Sequence, residues 1–266
     1  MGARVRNNIT ELGRADAPVL LLAHGFGCDQ NLWRPVVEGL RSQFRIVLFD
    51  HVGAGASDPT AWDPARYAQL SGYADDVLDI VDELDLTEVI FVGHSVAAMI
   101  GALAIIDRPD RFAKLVMVTP SPRYIDDGDY RGGFSPDDID ELLESMDANY
   151  LGWSHSMAPV IMGNPDRPDL HDKLEAAFCR TDPERARVFA RATFLSDNRS
   201  DLAKIPVPTL VLECSQDVIA PREVGAYVHR HVPDSTLVTL DAIGHCPHVS
   251  APTETAAAIA DFAIRT

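Results

Sequence analysis

The sequence predicts an α/β fold, in which a mostly parallel, doubly wound sheet carries a helical cap inserted before its last two strands. Two patterns predict this fold. Short apolar runs alternate with helical segments over most of the 266 residues, and between residues 121 and 194 we find helical patterns and no convincing strand. Strand–helix alternation implies a parallel sheet, and helices inserted between two of its strands imply a cap over its carboxyl edge. We therefore expect a core of residues 1–120 and 195–266 and a cap of residues 121–194.

The predicted strands are short apolar runs of about four to six residues, each bounded by Gly, Pro, Asp or Asn. Continuous apolar runs, without polar alternation, are typical of parallel strands that are buried on both faces. The runs are residues 19–23, 46–49, 89–92, 115–118, 209–213 and 236–240. Six strands of this kind are enough to form the sheet of a single domain.

The intervals between the strands have helical patterns. Residues 73–84 place their apolar side chains on one face and their acids on the other. Residues 96–106 are apolar nearly all round, as expected for a helix buried against a sheet. The remaining predicted helices are residues 31–43 and 253–264 in the core and residues 136–146, 170–178 and 183–194 in the cap.

The overall charge excludes two classes of partner. A formal net charge of −17 repels phosphate backbones and anionic lipid head groups, so we expect neither nucleic acid nor a membrane as a partner. The longest nearly apolar stretch, residues 96–106, is too short to cross a bilayer, and residues 1–10 lack the apolar segment of a secretory signal. The four cysteines form no C-x-x-C pair and are expected to be reduced thiols. We therefore expect a cytoplasmic protein.

A candidate nucleophile follows the third predicted strand. The segment G-H-S-V-A at residues 93–97 nearly matches G-x-S-x-G, in which the serine lies on a sharp turn between a strand and a helix. Small residues two positions before and after the serine let the strand and the helix pass close together. Ala97 replaces the second glycine but is still small. The alternative is a plain strand–helix corner with a chance serine; the flanking strand and buried helix favour Ser95 as the nucleophile.

An acyl-transfer site also needs hydrogen-bond donors for the oxyanion. The segment H-G-F-G at residues 24–27 follows the first predicted strand and places the N–H of Phe26 near the nucleophile. The second donor is expected to be the N–H of Val96, which directly follows Ser95. The motif is weak alone and gains weight from its place before the serine turn.

The general base and its acid are expected at the ends of the last two predicted strands. Asp217 follows residues 209–213 and His245 follows residues 236–240, in the chain order Ser, acid, His that this turn predicts. The acid would orient the imidazole, which takes the serine proton. Other candidate acids are Glu213, Asp126 and Asp127, and we rank them below Asp217.

No metal or cofactor is expected. His245 and His248 form H-x-x-H, but no acidic or cysteine partner has a telling spacing, so we predict no metal site. The segment G-A-G at residues 53–55 lacks the third glycine of a dinucleotide-binding loop and is not followed at once by a helix. We interpret it as a turn.

Taken together, these segments resemble a known family. The chain from about Asn7 onwards is similar to the RsbQ-type α/β hydrolases of bacteria and, more distantly, to the plant karrikin and strigolactone receptors. The similarity is carried by H-G-F-G-C-D-Q at 24–30, F-D-H-V-G-A-G at 49–55, G-H-S-V at 93–96, D-V-I-A-P at 217–221 and G-H-C-P-H at 244–248. It implies an α/β-hydrolase fold, with Ser95, Asp217 and His245 as the triad and Phe26 and Val96 as oxyanion donors.

The resemblance also implies a cap of four helices over a closed apolar pocket. Met157 occupies a position where the plant relatives are expected to have an aromatic residue. This difference would change the shape of the pocket, so we do not predict that the chain binds the ligands of the plant receptors. The pocket residues that the resemblance implies are Phe26, Tyr124, Phe134, Trp153, Met157, Phe194 and Ile219.

Two functions are consistent with these features. The first is a serine hydrolase that acts on a small, mostly apolar ester or lactone through a covalent acyl-enzyme. The second is a ligand-sensing protein that uses the same site as a trigger, because RsbQ-type proteins resemble signalling hydrolases that work with a PAS-domain serine/threonine phosphatase. A haloperoxidase side activity would share the triad and is left open.

Overall fold

The computed structural model describes residues 1–265 and contains a seven-stranded sheet. The strand order is β1-β3-β2-β4-β5-β6-β7, and every neighbouring pair is parallel except β1 with β3. The strands are β1 Thr10–Gly13, β2 Val19–Ala23, β3 Arg45–Leu48, β4 Val89–His94, β5 Phe112–Val118, β6 Thr209–Gln216 and β7 Ser235–Ile243. The predicted fold class and all six predicted strands are confirmed.

The seventh strand, β1, is the one that the sequence analysis missed. Its residues Thr10–Gly13 are half-buried or exposed, and it pairs antiparallel with β3 at the edge of the sheet. A polar edge strand has no apolar run to reveal it. It adds one strand to the sheet and does not approach the functional site.

The helices lie on both faces of the sheet and above its carboxyl edge. They are α1 Ala3–Arg6, α2 Arg34–Leu40, α3 Leu70–Glu83, α4 Val96–Asp107, α5 Pro136–Ala148, α6 Tyr150–Met162, α7 Pro168–Arg180, α8 Pro183–Phe194, α9 Arg222–His231, α10 Pro247–Ser250 and α11 Pro252–Ile264. All seven predicted helices are confirmed in place; α2 is shorter than predicted because residues 30–33 form a 3₁₀ turn.

Alternate residues of the central strands pack into two separate apolar layers. Leu21 and Phe91 point towards the cluster that contains α3 and α4, whereas Leu20, Ile90 and Val92 point towards the cluster that contains α2 and α11. Successive side chains of a strand point to opposite faces, so a strand buried on both faces is apolar throughout. This packing makes the sheet doubly wound, as predicted.

Four helices, α5 to α8, are inserted between β5 and β6 and share one apolar cluster. A capping box stabilises the N-terminus of α5. The Ser135 side chain accepts from the N–H of Asp138, and the Asp138 side chain accepts from the N–H of Ser135. The sequence pattern alone did not reveal α6, because Gly152 and Pro159 interrupt it. The resemblance, which implied four cap helices, was right on this point. The exact division into core and cap stays a prediction.

The pattern also missed α9, Arg222–His231, which lies between β6 and β7. Its buried face is narrow, with Val224, Gly225 and Val228 as the buried residues. None of the helices within residues 1–265 is long and apolar enough to span a membrane.

Candidate active site

Ser95 lies on a strained turn between β4 and α4. Its backbone has φ 56° and ψ −125°, a region that L-residues adopt only where the surroundings impose it. A side chain at Gly93 would collide with backbone atoms of Ala97 and Ala98, so the strand and the helix pass as closely as the motif predicts. Ala97 is fully buried and fits this turn. The Ser95 N–H donates to the Val118 carbonyl of β5 at 2.8 Å, which anchors the turn to the sheet.

Asp217, His245 and Ser95 form one hydrogen-bonded chain. His245 Nδ1 donates to Asp217 Oδ2 at 2.7 Å, and Ser95 Oγ donates to His245 Nε2 at 2.8 Å. The other Asp217 oxygen, Oδ1, accepts the N–H groups of Ile219 and Ala220 at 2.8 and 3.1 Å. All three side chains are buried. The carboxylate therefore fixes the ring so that its unprotonated nitrogen faces the serine hydroxyl.

The loop that carries His245 is held from the core and from the cap. The backbone N–H of His245 donates to the Ile161 carbonyl of α6 at 2.8 Å. Its carbonyl accepts from Thr119 Oγ1 at 3.0 Å and from His94 Nε2 at 2.9 Å. The sequence analysis named His94 only as part of the serine motif and did not identify Thr119 or Ile161. A contact to the backbone of His245 does not depend on a particular residue type at the other end, so no sequence motif reveals it.

The rival acids lie elsewhere. Glu213 accepts from Thr239 Oγ1 at 2.7 Å and pairs with Arg222. Asp126 accepts backbone N–H groups within its own loop, and Asp127 pairs with Arg199 at 2.7 Å. None of these carboxylates hydrogen-bonds His245 among the described residues, so the geometry singles out Asp217.

The two expected oxyanion donors flank the nucleophile. Val96 is the first residue of α4, so its N–H has no acceptor within the helix. Phe26 lies in the loop after β2 and lines the cavity that contains Ser95, and its N–H makes no hydrogen bond within residues 1–265. Both N–H groups are therefore available to a ligand oxygen.

A small cavity of about 30 Å³ adjoins Ser95 and His245. Four of the expected pocket residues line it, namely Phe26, Tyr124, Phe194 and Ile219. The lining residues that the sequence analysis did not identify are Cys28, His94, Ile161, Leu174, Phe178, Thr193 and Cys246. No Asp, Glu, Lys or Arg from the described part of the chain lines the cavity. A volume of this size holds about two water molecules.

Phe134, Trp153 and Met157 do not line this cavity, contrary to what the resemblance implied. Trp153 lies in a second layer, where its ring packs against Phe26 and Phe178 at centroid distances of 6.2 and 5.3 Å. Phe134 and Met157 are partly buried against the cap cluster. Phe178 and Leu174 of α7 line the cavity instead.

Burial favours the uncharged form of two histidines and two cysteines around Ser95 and His245. Burial, reinforced by His248 and His245, holds the pKa of His94 well below its usual range. Burial also lowers the pKa of His248 to about 3 and raises the pKa of the Cys28 and Cys246 thiols. The site is therefore a low-dielectric pocket, in which hydrogen bonds to a developing charge are strong.

An ion pair joins the cap to the core beside this pocket. Arg180, the last residue of α7, donates from Nη2 and Nε to Asp29 Oδ2 at 2.5 and 3.2 Å. Asp29 follows the oxyanion loop and is buried, whereas Arg180 is half exposed. Both also line an open surface groove of about 720 Å³. Ser95, Asp217 and His245 do not line that groove, so the smaller cavity is the candidate active site.

Within residues 1–265 there is no cluster of three or more His, Cys, Asp or Glu side chains arranged to hold a metal ion. The two histidines of the H-x-x-H segment, His245 and His248, are held by different neighbours. His248 packs between the rings of Trp33 and His94, at centroid distances of 4.6 and 4.2 Å, while His245 is held by Asp217. The two imidazoles therefore do not form a shared metal site.

Comparisons with known families, sequences and structures all relate this chain to hydrolases of the same fold. The model of the family described as "Alpha/beta hydrolase family" matches residues 20–258. The chain is 42% identical to a probable esterase of Oryza sativa subsp. japonica, over 92% of this chain and 91% of the relative. It is 39% identical to the Karrikin insensitive 2 receptor CA of Petunia hybrida, with the same coverage of 92% and 91%. A solved hydrolase from Oleispira antarctica superposes with a TM-score of 0.96 at 41% identity and covers 99% of this chain and 97% of its own.

Proposed function

The chain belongs to the alpha/beta hydrolase family, and we propose that it hydrolyses a small, mostly apolar ester or lactone through Ser95, His245 and Asp217. The observation that carries the proposal is the continuous hydrogen-bonded chain from Asp217 through His245 to Ser95 Oγ. A strained, buried serine with its hydroxyl directed at an oriented imidazole is the arrangement that makes this side chain nucleophilic.

The chemistry follows from these positions. The Ser95 Oγ forms a bond to the substrate carbonyl carbon while its proton passes to His245 Nε2, and the carbonyl π electrons move to the oxygen. The N–H groups of Phe26 and Val96 stabilise that oxyanion. The C–O bond to the leaving group then breaks, and His245 protonates the departing oxygen. Water then forms a bond to the acyl carbon while its proton passes to His245 Nε2. The bond from that carbon to Ser95 Oγ breaks, His245 returns the proton to Oγ, and the acid is released.

The lining supports an uncharged substrate. Aromatic and aliphatic side chains surround Ser95, and burying a charged substrate group among them without a partner would be costly. The present cavity of about 30 Å³ is smaller than any ester, so side chains or the cap must move when substrate enters. Several contacts between cap and core oppose such movement, among them the Arg180–Asp29 pair and the bond from the His245 N–H to the Ile161 carbonyl.

The direct test is the turnover of p-nitrophenyl acetate by wild type and Ser95→Ala. We expect wild type to release p-nitrophenol and Ser95→Ala to match the background rate. Ser154→Ala is a matched control, because Ser154 is equally buried but donates to the Tyr150 carbonyl in the cap. Equal rates for wild type and Ser95→Ala would refute the proposal.

A second candidate function is ligand sensing, with hydrolysis as the trigger. It is favoured by the similarity to a protein named as a receptor and by the small cavity between the sheet edge and the inserted helices. On this account the protein performs few turnovers, and its melting temperature shifts when a hydrolysable lactone binds. Sustained multiple turnover without such a shift would favour the enzyme alone. A PAS-domain serine/threonine phosphatase as the partner stays a prediction, and its activation by this protein is the measurement that tests it.

A further inference from the structure

We propose that Tyr124 is a further catalytic residue, whose hydroxyl donates a hydrogen bond to Ser95 Oγ and stabilises that oxygen as it attacks. The Tyr124 hydroxyl lies 3.3 Å from Ser95 Oγ, on the loop between β5 and α5. The inference rests on the proposed function, because it assigns a role to Tyr124 in the attack by Ser95. It identifies a further group at the nucleophile besides the imidazole and the two oxyanion donors.

The direction of this hydrogen bond follows from the triad. The Asp217 carboxylate accepts from His245 Nδ1, so the neutral ring presents an unprotonated Nε2 to the serine. Ser95 Oγ has one hydrogen, and it is directed to that nitrogen at 2.8 Å. The serine therefore has no proton left for Tyr124, and the Tyr124 hydroxyl must be the donor.

The surroundings of Tyr124 hold its hydroxyl in this position. Its ring is almost completely buried and packs edge-on against Phe194 at a centroid distance of 5.1 Å. Its carbonyl accepts from the Phe134 N–H at 3.2 Å, which closes the loop that carries it. Burial raises the pKa of Tyr124, so the phenol keeps its proton at neutral pH and remains a donor. Its hydroxyl makes no other hydrogen bond within residues 1–265.

The contribution to the reaction is electrostatic. As the serine proton moves to His245 Nε2, negative charge develops on Oγ until its lone pair has formed the bond to the substrate carbon. A donor fixed beside Oγ stabilises that charge in a small, buried and largely apolar cavity, where the hydrogen bond is stronger than in bulk water. Tyr124 keeps its own proton throughout, and the proton balance stays between Ser95, His245 and the leaving group. The resting distance of 3.3 Å is longer than a full-strength O–H···O bond; such contacts often tighten only in the reacting complex.

The test measures the nucleophilicity of Ser95 without requiring deacylation. Diisopropyl fluorophosphate reacts when Oγ forms a bond to phosphorus and fluoride leaves, so the labelling rate reports the attack alone. We expect Tyr124→Phe to lower this rate, and the p-nitrophenol burst rate with p-nitrophenyl acetate, by about tenfold. The KM should stay nearly unchanged, because phenylalanine keeps the ring packed against Phe194. A role in packing alone would instead raise KM or lower the melting temperature.

Tyr150→Phe is the matched control. Tyr150 is a buried cap tyrosine whose hydroxyl donates to the Phe178 carbonyl at 3.1 Å and does not contact Ser95. Its labelling rate should equal that of wild type. If Tyr124→Phe also labels at the wild-type rate, the inference is wrong while the proposed function stands. If wild type itself is not labelled and does not turn over ester, the proposed function fails.

A second measurement covers the case in which Tyr124→Phe does not fold. Incorporation of 3-fluorotyrosine at position 124 preserves the ring and makes the phenol a stronger donor. We expect faster labelling of Ser95 than in wild type. An unchanged or lower rate in the folded protein would overturn the inference.

Discussion

His245 Nδ1 lies 2.7 Å from Asp217 Oδ2, and both oxygens of that carboxylate are occupied. The second oxygen accepts two backbone N–H groups from the turn that follows β6. An acid fixed in this way holds the imidazole in one tautomer and one orientation. On the proposed mechanism, the fixed position of Asp217, and not only its charge, prepares His245 to accept the serine proton.

Asp217→Asn should lower kcat about 10⁴-fold, because an amide can hold the ring in the wrong tautomer. The KM for p-nitrophenyl acetate should change little, since the Asp217 carboxylate does not line the cavity. Glu213→Gln is the control, because Glu213 is a buried acid near the end of β6 that contacts Thr239 instead of His245. Steady-state kinetics of both variants check this. Equal losses in the two would contradict the assignment of Asp217.

Gly93→Ala should distort the serine turn. An added Cβ would lie 2.6 Å from the Ala98 nitrogen, and backbone atoms of α4 cannot move aside cheaply. We expect kcat to fall about 10²-fold or more, because a displacement of the nucleophile by about 1 Å costs that much. Activity assays and thermal melts of purified protein measure the effect. Wild-type activity with unchanged stability would show that the close approach is unimportant.

Asp29→Asn should weaken the contact between cap and core. Burial raises the pKa of Asp29, but hydrogen bonds from Arg180 and from the Asn31 N–H outweigh it, and the pKa is lowered overall. A carboxyl with a lowered pKa stabilises the fold above its unfolded value of about 3.9, and this stability is lost as the pH falls below that value. Because Arg180 is half exposed, we expect a loss of about 1 kcal/mol at neutral pH.

Thermal melts at about pH 7 and about pH 3 check this prediction, because the difference between wild type and Asp29→Asn should narrow on acidification. Asp169→Asn is the control, since Asp169 pairs with Lys173 on the exposed face of α7. Its melting temperature should match wild type at both pH values. A difference for Asp29→Asn that is equally large at both would refute the role of the ion pair.

His248 should make the protein sensitive to mild acid. Its pKa is lowered to about 3 by burial, whereas a histidine in the unfolded chain has a pKa of about 6.5. Below pH 6.5 the unfolded state binds a proton that the folded state does not, so stability falls with pH. At pH 5 the loss from this residue is about 2 kcal/mol.

His248→Phe should reduce this pH dependence, because phenylalanine retains the packing against Trp33 and has no proton to bind. Urea unfolding at pH 7 and pH 5 gives the two free energies of unfolding. His155→Gln is the control, because that ring is mostly exposed. The account fails if His248→Phe and wild type lose the same free energy between the two pH values.

The sequence predicted those parts of the site that depend on local geometry. Short sequence motifs indicate the turn at Ser95 and the strand ends before Asp217 and His245. The chain order then places these three residues on one edge of the sheet. The layer that a cap aromatic occupies depends instead on how α5 to α8 pack on one another. The resemblance therefore implies Trp153 as a pocket residue, whereas in the structure Phe178 lines the cavity and Trp153 packs against it.

Elements without a strong apolar pattern were also missed. The edge strand β1 is polar, α6 contains an internal proline, and α9 buries only a narrow face. The support of the His245 carbonyl by Thr119 and His94 acts through the backbone and could not be found from residue types. These features needed the three-dimensional structure because they arise from contacts between distant segments.

The central claim is that Ser95 forms a covalent acyl-enzyme. The most direct measurement is mass spectrometry of the protein quenched during turnover of p-nitrophenyl acetate, with peptide mapping of the adduct. We predict one acetyl group on the peptide that contains Ser95 in wild type and none in Ser95→Ala, which should also lack the burst of p-nitrophenol. An acetyl group on another residue, or equal turnover by the two proteins, would contradict the account.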